Sequence, residues 1–315
     1  MKKIFLFTIL LILVSSFTKA DDKDSYFKLK SITSLKDIHS IECDLCGCYL
    51  GIEPKFGNNS IGLRYSYFNF QSSDAVPVDD RETEIFSKVE LVGKININPK
   101  FRVLLTVPFK LNDINGKNVR DLGDVSIMGQ YLIYSTAMSF KNETRYRQRF
   151  YLGGGINVPT GTFNTELVPG IVDPHFQAGT GAFTFLVNGS YFSKFRELGF
   201  NLDAAYTAAL ANRNVYKFGN RLNLATNISY EAGIGEVGLL PHAGLYYESA
   251  EFDKQDGVDI DDSGGNVLFL TGGVDSYFNR FSFNINYDYP ISQKLNEEPI
   301  NNFRIITGIT YFIGL

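Results

Sequence analysis

The chain has 315 residues, a formal net charge of −4 and a hydrophobic fraction of 44%. This hydrophobic fraction excludes an intrinsically disordered chain, and the lack of a basic excess argues against a general nucleic-acid binder. After residue 17 there is no run of about 18 apolar residues, which excludes a bundle of membrane-spanning helices. The 29 glycines, 27 phenylalanines and 18 tyrosines favour strands and turns.

The first 20 residues have the three parts of a secretory signal peptide. Lys2 and Lys3 form a basic start, an apolar run follows over 4–14, and small residues precede a cleavage position after Ala20. A membrane anchor is the alternative interpretation, but the apolar run is shorter than a membrane span. The sequence therefore predicts export to an oxidising compartment.

From residue 60 onward, apolar and polar residues alternate over long segments. In Phe281–Tyr289 the odd-numbered residues are aromatic or isoleucine, and the even-numbered residues are Ser, Asn or Asp. Because side chains alternate between the two faces of a strand, each such segment has one apolar and one polar face. We predict twelve strands, at 60–71, 82–97, 100–112, 122–137, 145–158, 181–195, 199–209, 215–231, 236–251, 265–278, 280–291 and 301–313.

A soluble sandwich and a transmembrane barrel share this pattern. Strands of soluble sheets usually run about five or six residues, whereas a tilted strand that crosses a bilayer needs about nine to eleven. Most segments here reach the longer span, and the predicted connections alternate between short and long, as in bacterial barrels with short periplasmic turns and longer extracellular loops. The predicted fold class is therefore all-β, an antiparallel transmembrane β-barrel of about twelve strands.

The polar faces carry the charged residues, so we expect them to line the lumen. An Arg or Lys that faces lipid near the bilayer midplane costs about 2–4 kcal/mol. Gly153–Gly155 on the fifth strand is interpreted as relief of crowding or barrel curvature rather than a ligand contact. The predicted lumen-lining residues are Arg64, Glu84, Lys88, Glu90, Arg102, Arg147, Arg149, Arg221, Asn223, His242, Asn284, Asn286, Asp288 and Arg304.

Five short phrases of the sequence carry a family resemblance. They are Leu122–Val125, Gly129–Tyr131, Leu152–Gly161, Pro174–Gly181 and Asp203–Tyr206. In this order they resemble outer-membrane transporters named for the meta-pathway of phenol degradation, which are grouped with FadL-type barrels. The resemblance covers residues 60–315 and implies passage of small, often hydrophobic or aromatic molecules. Its motifs are glycines, turns and strand ends, so they bear on the fold more than on the substrate.

All three cysteines lie in one segment before the first strand, Cys43, Cys46 and Cys48. This Cys-x-x-Cys-Gly-Cys opening resembles that of outer-membrane barrels of Bacteroidota. Together with His39, the sulfurs could hold copper(I), zinc or an iron–sulfur centre. A disulfide within the cluster is the alternative, and it leaves one thiol for a mixed or intermolecular disulfide. A third interpretation is that the cysteine cluster has no role. Apart from a metal at this cluster, the sequence predicts no cofactor.

The histidines give little support for catalysis. Some outer-membrane barrels are lipid hydrolases that pair a Ser with a His. Here His242 falls on the predicted lumen face, and His175 lies in a long loop. We therefore expect that the protein is not an enzyme.

These observations predict three regions in a protein of the Gram-negative outer membrane. They are a signal peptide (1–20), a periplasmic N-terminal segment with the cysteine cluster (21–59) and the barrel (60–315).

The expected function is a channel or transporter for small molecules. The alternatives are a metal-handling or redox-linked barrel that uses the cysteine segment, and a non-conducting structural barrel plugged by residues 21–59. The expected partners are the lipid bilayer and a small-molecule cargo, with no nucleic acid, and a periplasmic partner of the N-terminal segment is a further option.

Overall fold

The computed structural model describes a chain made of strands, turns and loops. The described residues are 42–44, 51–53, 59–71, 83–114, 117–136, 146–166, 172, 174–261, 263–295 and 300–313. All of them belong to the larger of two compact units, Ser34–Leu315. Among these residues there is no helix long and apolar enough to cross a membrane.

Within the described residues, twelve antiparallel strands form one closed barrel. Each strand pairs with the next, and the last strand pairs with the first, for example at Ile305 and Tyr67. The predicted all-β antiparallel barrel of twelve strands is therefore confirmed. The strands are β1 (Asn59–Gln71), β2 (Thr83–Asn98), β3 (Phe101–Ile114), β4 (Val125–Ser135), β5 (Tyr146–Val158), β6 (Thr184–Phe195), β7 (Leu198–Ala209), β8 (Arg221–Tyr230), β9 (Val237–Ala250), β10 (Gly265–Phe278), β11 (Phe281–Leu295) and β12 (Ile300–Ile313).

The connections separate into two rims. Two-residue turns join β2 to β3, β6 to β7 and β10 to β11, and Arg196 and Asn279 in the latter two have positive φ angles of 56° and 52°. We call this end the short-turn rim. The opposite end carries the connections 159–183, 210–220 and 251–264, and we call it the long-loop rim. The expected alternation of short and long connections is therefore present, except that the connection 136–145 of the short-turn rim is longer than the connection 296–299 of the long-loop rim.

Three predicted boundaries were wrong, all at the long-loop rim. The segment Tyr216–Lys217 was placed in the eighth strand, but it pairs with Lys254–Gln255 in a separate small sheet. At Gly219 a Cβ atom would lie 2.0 Å from the carbonyl oxygen of Glu251, so only glycine allows the chain to pass there before β8 begins. An additional strand, Lys117–Leu122, pairs with the end of β3. The long connection predicted at 292–300 is short, because β11 extends to Leu295.

The two faces of the wall have opposite chemistry. In β1 the side chain of Leu63 is 52% exposed and that of Arg64 is 4% exposed, and the same contrast separates Ile285 (53%) from Asn286 (6%) in β11. A water-soluble protein buries its apolar face instead, so an apolar outer surface with a polar interior is the pattern of a barrel embedded in lipid.

The interior also contains apolar groups that alternation alone did not reveal. Leu104, Met128, Leu186 and Ala205 form one buried cluster contributed by β3, β4, β6 and β7. A second buried cluster includes Tyr246 and the fully buried Phe269. The lumen is therefore lined by a mixture of charged, amide, aliphatic and aromatic side chains.

Candidate functional site

The structure buries most of the predicted lumen-lining residues on the side opposite the exposed apolar residues. Arg221 differs, since it is exposed at the start of β8, and the side chain of Glu84 lies outside the described residues. Lys88, Arg147, Arg149 and Asn284 are partly buried. A functional role of this set stays a prediction. The buried members are Arg64, Glu90, Arg102, Asn223, His242, Asn286, Asp288 and Arg304.

A first charged cluster lies on β1, β2 and β3. The Glu90 carboxylate accepts hydrogen bonds from Arg64 Nε at 2.7 Å and from Lys88 Nζ at 3.0 Å. Lys88 lies directly opposite Lys110 in the β2–β3 register. Lys110 Nζ donates to the backbone carbonyl of Gln177 at 3.2 Å. One carboxylate is thus shared by two cations, and a third cation lies beside them.

A second cluster forms a chain of hydrogen bonds across β3, β4 and β6. Arg102 Nε donates to Gln130 Oε1 at 2.7 Å, and Gln130 Nε2 donates to Asn188 Oδ1 at 3.1 Å. The guanidinium of Arg102 also lies 4.2 Å from the ring centroid of Tyr151. Gly153 lies beneath this chain, where a Cβ atom would come within 2.5 Å of Asn188 Oδ1. The absence of a side chain at Gly153 therefore relieves crowding, as the sequence predicted. The pairing of β4 with β5 is regular at this position, without a β-bulge.

A third cluster surrounds Arg304 on β12. Its guanidinium pairs with Glu248 of β9 and lies 4.1 Å from the ring centroid of Phe269 and 5.0 Å from that of Phe68. This contact connects strands that are not neighbours in the wall, so the pair crosses part of the interior.

His242 on β9 belongs to a separate polar group of the interior. Its Nδ1 atom lies 3.3 Å from Asp275 Oδ2, and its Nε2 atom lies 2.5 Å from Asn286 Oδ1. The imidazole is thus held between β10 and β11, on the interior side that the sequence predicted.

Part of the longest connection folds into the mouth of the barrel. Within Pro174–Gly181, which we call the inserted segment, Phe176 and Ala178 are fully buried and Gln177 is 1% exposed. The Phe176 ring packs edge-on against Phe86 of β2 at a centroid distance of 5.8 Å, and Val119 belongs to the same buried cluster. The sequence did not predict this feature, because it expected any plug to come from residues 21–59, most of which lie outside the described residues.

Asp124 anchors the inserted segment. Its carboxylate accepts hydrogen bonds from the backbone amide and the hydroxyl of Thr180 at 2.8 and 2.6 Å, and from the amide of Gly161 at 3.0 Å. Gly161 and Gly179 touch so closely that a Cβ on Gly161 would lie 2.6 Å from the Cα of Gly179. Three of the phrases that carry the family resemblance therefore meet at one point, although they are separated in sequence.

A further polar cluster ties the long-loop rim together. The Asp253 carboxylate is buried and lies 2.8 Å from His175 Nε2, accepts a hydrogen bond from Tyr216 Oη and accepts one from the amide of Gly219 at 2.6 Å. Burial raises the pKa of Asp253, but the hydrogen bonds from His175, Tyr216 and Gly219 outweigh it, so the net pKa is below the ordinary value. This cluster holds the residue next to Phe176 against two neighbouring loops.

A small cleft of about 90 Å³ opens beside this cluster. Phe163, Pro174, Asn212, Tyr216 and Phe218 form part of its walls. Several of its amides are already used within the loops, since Asn212 Nδ2 donates to the carbonyl of Thr180 at 3.1 Å. The cleft therefore lies next to the inserted segment and shares its anchoring residues.

The metal prediction is not tested by the described residues. Among them no group of three or more His, Cys, Asp and Glu side chains is placed to hold a metal ion. Cys43 lies in a short strand, Glu42–Asp44, paired with Gly51–Glu53. His39, Cys46 and Cys48 lie outside the described residues. The metal, the disulfide and the absence of a role all stay predictions.

Comparisons with known proteins support the fold. No protein-family model and no curated protein matches the chain. An outer membrane channel from Pseudomonas putida F1 is similar in structure, with a TM-score of 0.61 and 12% identity over 81% of this chain and 96% of that one. The β domain of the Bordetella autotransporter BrkA has a TM-score of 0.46 and 12% identity over 81% of this chain and 100% of that one. The similarity to the Pseudomonas putida channel shows the outer-membrane barrel fold, while the specific family resemblance stays a prediction.

The comparisons also correct one expectation. We expected that the protein is not an enzyme, and this exclusion was wrong. The outer-membrane barrel fold establishes neither the presence nor the absence of an enzymatic activity.

Proposed function

We propose that this protein is an outer-membrane channel or transporter for small molecules, and that the inserted segment Pro174–Gly181 forms its constriction. The observation that carries this proposal is the burial of Phe176 in the barrel mouth, where a loop restricts entry to the interior. The similar fold of the Pseudomonas putida outer membrane channel supports it.

The energetics of the constriction suit a segment that can move. Its polar anchors are hydrogen bonds at the long-loop rim, such as those from Thr180 and Gly161 to Asp124. Among the described residues, its buried apolar contacts are confined to the small cluster that Phe176 and Ala178 form with Val119 and Phe86. Each hydrogen bond to the charged Asp124 carboxylate contributes about 1.5–3 kcal/mol, because water replaces the partner when the bond breaks. The segment can therefore leave the mouth without unfolding the wall, whose strands are paired around the full circumference.

The interior suits small molecules that combine an apolar or aromatic part with polar groups. The rings of Tyr151 and Phe269 face cations of the interior at 4.2 and 4.1 Å, and the cluster around Leu104 adds a buried aliphatic surface. We keep a hydrophobic or aromatic cargo as part of the proposal, since the family resemblance implies it and these side chains support it.

The remaining assignments are proposals of the same kind. We propose cleavage of residues 1–20 as a signal peptide, a periplasmic location for residues 21–59, and insertion of residues 60–315 into a Gram-negative outer membrane. The apolar outer face supports the last of these. The bilayer and a small-molecule cargo are then the partners, and a periplasmic partner would bind the N-terminal segment.

Planar-bilayer recordings of the purified full chain test the channel. The wild-type protein should conduct, and Phe176→Ala should raise the single-channel conductance, because it removes the ring that packs against Phe86 in the mouth. Phe252→Ala is the matched control, since Phe252 is 41% exposed and lies outside the inserted segment. If neither the wild type nor Phe176→Ala conducts or passes small solutes into liposomes, the channel proposal fails in favour of a structural barrel.

A further inference from the structure

Two lysines lie side by side on the interior of the barrel, just below the inserted segment. Lys88 and Lys110 are direct cross-strand partners in the β2–β3 pair. Like charges directly opposite each other in a sheet are destabilising, and this pair lies in the mouth of a mostly buried interior. A negatively charged group between the two ammonium groups would offset this repulsion.

The surrounding residues compensate the two charges only in part. Glu90 accepts a hydrogen bond from Lys88 at 3.0 Å, but the same carboxylate also pairs with Arg64. Lys110 donates to a neutral acceptor, the carbonyl of Gln177, at 3.2 Å. Asp124 acts on Lys110 more strongly than Glu90 does, but its carboxylate is already hydrogen-bonded to the loop.

The positive charge of this region does not follow from the composition of the protein. The whole chain has a formal net charge of −4, yet β1, β2 and β3 place basic side chains along one part of the interior wall. Lys94 and Arg102 extend this group toward the short-turn rim and are 1% and 4% exposed. Among the described residues, Glu90 is the one buried carboxylate on these three strands, and the buried Asp203, Asp275 and Asp288 lie on β7, β10 and β11.

We propose that Lys88 and Lys110 form an anion-binding site beneath the inserted segment, and that this site makes the channel select small anions carrying a carboxylate or phosphate group. The proposal rests on the channel function above. Each ammonium group has three donors, and charge-assisted hydrogen bonds to an anion are stronger than a bond to a neutral carbonyl. An anion can therefore bind the donors of Lys110 that the Gln177 carbonyl does not occupy.

Reversal potentials across a KCl gradient test the selectivity. The wild-type channel should prefer chloride over potassium, and added inorganic phosphate should reduce the chloride current. The double variant Lys88→Gln/Lys110→Gln should lower the anion-to-cation permeability ratio several-fold and weaken the phosphate block. Lys100→Gln is the control, since Lys100 is an exposed lysine in a turn of the short-turn rim. It should behave like the wild type.

Direct binding separates this inference from the channel proposal. Calorimetric titration of the detergent-folded protein with inorganic phosphate should show binding that the double variant loses and Lys100→Gln keeps. The anion site is overturned, and the channel proposal kept, if the double variant conducts with unchanged selectivity. The same holds if the wild type, the double variant and Lys100→Gln all bind phosphate equally. Absent conductance with lysine-dependent phosphate binding overturns the channel but supports the site. Where circular dichroism shows that the double variant misfolds, Lys110→Gln alone serves for both measurements.

Discussion

The carboxylate of Asp124 binds Thr180 twice, through the backbone amide at 2.8 Å and through the hydroxyl at 2.6 Å. Asp124 directly precedes β4, and Thr180 lies in the inserted segment shortly before β6. This pair therefore joins the wall of the barrel to the loop that enters its mouth. The same carboxylate holds Gly161, so the beginning and the end of the long connection are fixed at one residue.

Removing this carboxylate should release the inserted segment. Asp124→Ala removes the acceptor of three hydrogen bonds, and bonds to a charged group contribute about 1.5–3 kcal/mol each. We expect faster limited proteolysis within 172–182 and a higher single-channel conductance, with unchanged β-sheet content by circular dichroism. Asp256→Asn, at an exposed position of another loop, is the control and should change neither, because Asn tolerates the positive φ angle of 53° at this position. Unchanged proteolysis in Asp124→Ala would show that the anchor lies elsewhere.

The inner glycine of β5 should be intolerant of a side chain. At Gly153 a Cβ would lie 2.5 Å from Asn188 Oδ1 and 2.7 Å from Gln130 Cγ, whereas at Gly154 the nearest atom is 3.5 Å away. Overpacking of this kind costs about 1–3 kcal/mol. Gly153→Ala should therefore lower the thermal unfolding temperature, and the neighbouring Gly154→Ala should not. Equal unfolding temperatures for the two variants would contradict the inward orientation of Gly153.

A charge on the outer face should impair insertion into lipid. Leu63 is 52% exposed in the middle of β1, and Arg at a lipid-facing midplane position costs about 2–4 kcal/mol. We expect Leu63→Arg to fold into lipid vesicles less completely than the wild type. Val258 is 70% exposed but lies in a loop of the long-loop rim, so Val258→Arg should fold normally. If both variants insert like the wild type, the apolar outer face does not contact lipid.

The loop cluster around Asp253 should respond to acid. Its pKa lies below the ordinary value of 3.8, because the hydrogen bonds from His175, Tyr216 and Gly219 outweigh burial. The ionised form therefore stabilises the loops fully above that ordinary value, and the stabilisation is lost as the pH falls through the lowered pKa. The hydrogen-exchange protection factors of residues 210–220 and 251–261 should stay high down to about pH 4 and fall below it.

Asp253→Asn separates this carboxylate from other acid-labile groups. The variant should have lower protection factors than the wild type at neutral pH, and these should depend less on acidification, because the titrating group is gone. Asp256→Asn, on the exposed part of the same loop, should keep the wild-type profile. A wild-type profile in Asp253→Asn would assign the acid response to another residue.

The sequence predicted the wall well, because the governing pattern is local. A period of two assigns each residue to one face, and the energetic cost of charge in lipid decides which face is outside. Arg64 and Asn286 are buried where this argument placed them. The pattern failed at 215–220, since Tyr216 and Phe218 continue the alternation of β8 although the chain turns away at Gly219.

The sequence by itself determined the class of structure, the number of strands and the face to which most side chains belong, because alternation along a strand is a property of neighbouring residues. Only the tertiary structure decided that Phe176 enters the mouth, that Asp124 meets Gly161 and Thr180, and that Lys88 lies opposite Lys110. These contacts join residues that are far apart in the chain, and the register and closure of the barrel bring them together. Local patterning carries no information about that register, so it could not place them.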